Sequence, residues 1–186
     1  MTLPFSLADA ERASDEWGCN CGPSALAAVT GRTLDDIRPL MGDFEKKRYT
    51  NPTLMFESLD RTGAAWRTIE GIPTHGLLRI QWEGPWTEPG VPIRARYRHT
   101  HWVGIQQPDR MGILFPGKIS PGAGIFDINA MNCGGWIAFV DWASTLVPWL
   151  LEECVPRNNG RWHITHRIQV DRASPVPSQA RGGAAE

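Results

Sequence analysis

Three groups of residues have types and spacings that could do chemistry together. The first is Cys21, in the stretch Trp17-Gly18-Cys19-Asn20-Cys21-Gly22-Pro23-Ser24-Ala25-Leu26. Pro23 suits the first turn of a helix, where its missing N–H costs nothing. The Ala- and Leu-rich run through Val29 sustains that helix, and Gly31 is its expected stop. Cys21 is thereby placed at the positive end of a short helix, which stabilises a thiolate. Gly22 is expected to let the backbone pass close to a substrate. The second group is His99-Thr100-His101-Trp102-Val103. In a strand, His99 and His101 share one face. The third is Phe126-Asp127-Ile128-Asn129, where Asp127 and Asn129 likewise share one face of a strand. A thiol needs an imidazole in hydrogen-bond reach to take its proton. The imidazole needs an acceptor on its other nitrogen to fix its tautomer and direction.

Blander readings stand beside this one. Cys21 fits a small buried apolar position equally well by type. Cys19 reads as a bystander, or as a redox partner for Cys21. His99 is an alternative base and Asn129 an alternative orienter. A metal site on Cys19 and Cys21 has little behind it, because zinc favours Cys-x2-4-Cys pairs; no metal is expected. His75 reads as a loop residue. His163 and His166 are odd-spaced in a strand, so they point to opposite faces.

Elements with clear local signals would position these groups. Residues 1–16 read as a loose N-terminal arm with one helical turn. The Cys21 helix follows. Thr33 and Asp36 form a capping box for a short second helix, disturbed near Pro39. Asn51-Pro52 opens a third helix that Gly63 ends. Strands are expected at 65–69, 77–82, 93–98, 100–105, 111–115, 124–130 and 134–139. Residues 140–153 read as a helix that Pro148 kinks or starts, and 160–170 as a long alternating strand. Residues 171–186 are Pro, Ser, Ala, Gly and charge, the composition of a disordered tail. Helices first, then an antiparallel sheet with one late helix, define an α+β domain over 17–170.

The composition sets limits. The chain has 186 residues, 41% hydrophobic and 21% charged, with a formal net charge of -1. That charge gives no pull toward nucleic acid. No stretch approaches the ~18 apolar residues of a membrane helix, and no signal peptide is read at the N-terminus. A cytoplasmic location is expected. Nine Trp supply large apolar groups for a core or a groove. Trp82 and Trp86, flanking Glu83-Gly84-Pro85, are the tryptophans expected at the surface, on the rim of a substrate groove together with His99. Arg94, Arg96 and Arg98 read as a solvated strand face, with a groove for an acidic peptide as the second reading.

The string Cys21-Gly22-Pro23-Ser24-Ala25-Leu26, followed by His101-Trp102-Val103 and then Phe126-Asp127, resembles the papain-like cysteine peptidases. Within them it is most similar to bacteriocin-processing, double-glycine-leader peptidase domains and their bacterial and phage relatives. The motifs cover residues 17–31 and 99–130, and the order of elements covers 17–170. The resemblance implies a nucleophile helix packed on an antiparallel sheet. It implies Cys21 as nucleophile, His101 as base and Asp127 as orienting acid, with no cofactor. The implied reaction is hydrolysis of a peptide or amide bond, isopeptide included, in a peptide or protein substrate; with an amine in place of water the same site would be an acyltransferase. An inactive module of the same fold, binding a peptide or serving a phage or bacterial assembly, is the alternative; a phage-encoded chain would then be virion-associated. The family places a Gln six residues before the Cys to help bind the oxyanion. This chain has Asp15 there, which leaves Asn20 and the Trp17 indole as candidate donors.

Overall fold

The computed structural model describes residues 2–108 and 118–171. The strand expected at 111–115, and the tail beyond Asp171, lie outside the described residues.

The helical half comes first. Helix α1 (Leu7–Trp17) is closed at its start by a Ser6–Asp9 capping box and at its end by Gly18 in the left-handed conformation. This corrects the expectation of a loose arm over 1–16. Ala10, Ala13 and Trp17 of α1 are buried, so the helix is docked. Helix α2 (Cys21–Thr30) is the central one, with every residue from Gly22 to Val29 buried. A helix buried all round in this way belongs in the middle of a domain. Around it lie α3 (Leu34–Ile37), a 3-10 turn (Arg38–Met41), α4 (Phe44–Lys47) and α5 (Pro52–Thr62). The Thr33–Asp36 capping box and the Asn51 cap form as the sequence predicts.

The sheet half has six antiparallel strands in the order β1-β6-β2-β3-β4-β5. These are β1 (Trp66–Thr68), β2 (His75–Trp82), β3 (Thr100–Gln106), β4 (Gly124–Phe126), β5 (Trp136–Ala138) and β6 (Trp162–Val170). The mixture of helices and antiparallel sheet is an α+β architecture. Alternate residues of the central strands point into two separate cores. Leu77, Trp102 and Phe126 face α2 and its neighbours. Leu78, Ile80, Val103, Ile105 and Ile125 face a late helical segment. That segment is α7 (Phe139–Asp141), a π turn (Trp142–Leu146) and α8 (Val147–Cys154), with Pro148 in the first turn of α8. With both faces covered, all eight residues of β2 are buried. Helix α2 lies close on β3 at Gly104, where a Cβ would meet Val29 Cγ1 and Phe126 Cβ at 3.0 Å.

Four local expectations need correction. Residues 93–98 do not form a strand; α6 (Ile93–Arg96) is a short helix after Pro92, with Ile93 71% exposed. With no buried face for Ile93, the alternation had no sheet to join. The strand expected over 124–130 stops at Phe126, and a 3-10 helix (Ile128–Cys133) follows. A register shift opposite Arg79 and Ile80 leaves Thr165 unpaired in β6. His163 and His166 therefore pair with Gln81 and Arg79, which share a face, and do not point to opposite sides. His75 is not a loop residue; it is buried, begins β2, and lies 2.8 Å through Nε2 from the Val29 carbonyl.

Candidate active site

The N-terminus of α2, the start of β3 and the end of β4 converge on one point. Asn20 caps α2: its Oδ1 accepts the Gly22 N–H at 3.2 Å and its carbonyl accepts the Ser24 N–H at 3.1 Å. Cys21 is therefore the first helical residue, where helix-end amides favour a negative charge. Pro23 has no N–H to offer. Among the described residues, the Cys21 N–H has no partner. Gly22 is needed for a close approach, but to Thr50 and not to an open groove: a Cβ there would overlap the Thr50 side chain.

His101 is the second residue of β3 and points to the face shared by Ile80. Its Nε2 donates to Asp127 Oδ2 at 2.8 Å. The other ring nitrogen is left for Cys21, and the thiol and imidazole are hydrogen-bond neighbours. The Trp82 ring stacks at 6.1 Å from the imidazole and screens it. Asp127 is fully buried, and four donors meet its two oxygens. His101 Nε2 and the Trp142 indole, the latter at 2.9 Å, share Oδ2. The Asn129 backbone N–H and side-chain amide share Oδ1, at 3.0 and 2.9 Å. Asn129 thus holds the carboxylate, and it is Asp127, not Asn129, that orients the imidazole. Because strand β4 has ended, the two residues are a cap and its partner, not neighbours on a strand face.

The electrostatics form one coupled set. Burial pushes the Cys21 thiol up, but the His101 charge, the hydrogen bond from its ring and the Trp102 N–H bring it below the ordinary thiol range. Burial disfavours the His101 imidazolium, yet the Asp127 and Cys21 charges raise its pKa well above 6.5. Burial opposes ionisation of Asp127, and His101, Trp142 and Asn129 outweigh it, holding the carboxyl at about 2. The arrangement favours a thiolate–imidazolium pair backed by a carboxylate. Cys19 is different: burial drives its thiol up to about 11, and its Sγ lies 3.2 Å from Ser24 Oγ. It remains protonated and is no rival nucleophile.

Cys21 sits between two cavities. One, of about 520 Å3, lies on the His101 side and is also lined by Glu11 and Ser14 of α1, Trp82, His99 and Asn129. The other, of about 570 Å3, lies on the Arg79 and Trp102 side. Asn20, Cys21, Arg98 and Thr100 border both.

The structure separates several residues from the roles expected of them. Trp86 is buried and absent from both linings; its indole donates to the Trp82 carbonyl at 2.8 Å and its ring packs on His99 at 4.4 Å. Trp82 lines the first cavity as a buried wall, not an exposed rim. Trp17 is fully buried against Phe44, under the Arg38 guanidinium, and borders neither cavity. It offers no donor to a bound oxyanion. Asn20 does border the site, with one side-chain N–H already given to the Arg48 carbonyl at 3.2 Å. His99 lies just before β3 and lines the first cavity without reaching Asp127. Trp142 was missed: at helical spacing it reads as core, and no local pattern marks its indole as a donor to Asp127. Among the described residues, no three His, Cys, Asp or Glu side chains cluster to hold a metal.

No family model, curated protein or solved structure matches this chain.

Proposed function

We propose that this protein is a papain-like thiol hydrolase that cleaves a peptide or amide bond, isopeptide included. The observation that carries the reading is the Cys21–His101–Asp127 chain at a helix N-terminus, beside open cavities. The Cys21 thiolate attacks the substrate carbonyl carbon, and its free backbone N–H faces the developing oxyanion. The His101 imidazolium gives its proton to the leaving amine as the C–N bond breaks, and a thioester remains. Neutral His101 then takes a proton from water, the resulting hydroxide adds to the thioester, and the acid leaves as the thiolate returns. Asp127 holds the ring direction throughout.

An inactive module of the same fold, binding a peptide or serving an assembly, is the second reading. It draws on Asp15, which stands where an amide donor is expected and borders neither cavity. Alkylation by iodoacetamide at pH 6, with the adduct mapped, separates the two. The hydrolase reading expects selective modification at Cys21, roughly tenfold or more faster than an unperturbed thiol, and loss of that advantage in His101→Ala. A Cys21 that reacts no faster than a free thiol would sink it.

A further inference from the structure

We infer that the cavity on the Arg79 side of Cys21 is an anion subsite that takes a carboxylate of the substrate next to the scissile bond. The inference rests on the hydrolase reading for what the site does, and on separate residues for what it binds. Four arginines, Arg48, Arg79, Arg94 and Arg98, line this cavity with Tyr49 and Tyr97. No carboxylate lies among its described lining residues. Elsewhere the arginines are mixed, with Arg32 and Arg96 bonded to backbone carbonyls and others paired with carboxylates. Arg12, Arg38, Arg61, Arg67 and Arg161 each lie within 4 Å of an Asp or Glu. None of the four cavity arginines has such a partner among the described residues.

Arg79 makes the argument specific. It sits in the middle of β2 and is only 5% exposed. Its guanidinium donates to Thr100 Oγ1 at 3.2 Å and lies over the Tyr97 ring at 5.4 Å. Its Nε has no hydrogen-bond partner. Thr50 Oγ1, in the same wall, is also buried without one. A buried cation is costly unless paired, and a guanidinium matches a carboxylate through two parallel N–H bonds. Arg94 and Arg98 are at the exposed mouth, placed to draw an anion inward. Because Cys21 borders the same cavity, a carboxylate held there stands beside the attacked carbonyl. Its source is either an Asp or Glu side chain or the chain-terminal carboxylate of the substrate.

Two alkylating agents that differ only in charge test this. The Cys21 thiolate displaces iodide from iodoacetamide, which is neutral, or from iodoacetate, which carries a carboxylate. The His101 imidazolium also attracts iodoacetate, so the diagnostic quantity is how the iodoacetate-to-iodoacetamide rate ratio changes on substitution. The expected result is a ratio about tenfold lower in Arg79→Met and a smaller fall in Arg98→Ala, which alters only an exposed side chain if Arg79→Met does not fold. An unchanged ratio in the folded variants overturns the subsite. Slow reaction with iodoacetamide itself overturns the hydrolase reading instead, so the two failures are distinct. Protection of Cys21 from iodoacetamide by N-acetylglutamate α-amide assigns the carboxylate to a side chain, and protection by N-acetylalanine assigns it to a chain end. Equal protection by neutral N-acetylglutamine amide counts against the subsite.

Discussion

Asp127 shows how a single buried charge is kept. A carboxylate with no exposure is tolerated because four donors meet its two oxygens, and one of them carries a positive charge. Its pKa of about 2 lies below the ordinary 3.8. A carboxyl depressed in the folded state stabilises fully above the unfolded pKa, and that stability is lost as pH falls through the folded value. Here the window runs from 3.8 down to about 2, and the contribution is ~2 kcal/mol. His101 has the opposite sign: its contribution is present below 6.5 and lost as pH rises through its raised folded pKa. The two describe one ion pair and count once. In Asp127→Asn the fall in urea midpoint across the acid window should flatten, and Cys21 alkylation at pH 6 should slow as the imidazolium loses its counter-charge. An acid limb of equal steepness in both chains would place the acid lability on other carboxylates.

At the scale of elements, caps decide which side chains reach the site. Asn20 sets Cys21 at the first position of α2, and Asp127 turns the chain out of β4 by capping the 3-10 helix. The π turn at Trp142–Leu146 carries the Trp142 indole to the carboxylate; the Val147 N–H reaches back to the Trp142 carbonyl. The cysteine helix, the His101 strand and the Asn51–Gly63 helix were legible because their signals are local: a cap, a proline, a glycine stop. Helix α1 was not. Its buried face is Ala10, Ala13 and Trp17, and two alanines make a faint apolar stripe. The Ser6–Asp9 box was there to be read, in the same Asp form as Thr33–Asp36. The fates of Trp82, Trp86 and Arg94 depended on contacts across the fold, which no neighbouring residue encodes. If α1 is held as described, Ser6→Ala should cost about 1 kcal/mol in urea unfolding and leave Cys21 reactivity unaltered. A loss under a few tenths of that would mean the box adds nothing to α1.

For the molecule as a whole, the sheet is a shared wall. The same strands present Leu77 and Trp102 to one core and Leu78 and Val103 to the other. Cys21 and His101 meet at the end of that wall, between the two cavities, so the site depends on both cores at once. A sheet whose two faces are covered cannot lose one cover without exposing the backs of residues that hold the other. This argues for a single cooperative transition. Cys19 supplies a probe on the α2 side, being 7% exposed with its thiol at about 11, and so silent to alkylation while the fold is intact. Trp82, Trp86 and Trp142 belong to the opposite core and Trp17 and Trp102 to the first, so tryptophan fluorescence reports both. Cys19 labelling, far-ultraviolet circular dichroism and tryptophan fluorescence should therefore change at one urea midpoint. Leu78→Ala, a truncation on the face away from Cys19, should lower all three midpoints together, with a loss of about 2–5 kcal/mol. If it lowered the fluorescence midpoint and left Cys19 labelling in place, the two faces would be independent units, and the site would have to be held by the α2 core alone.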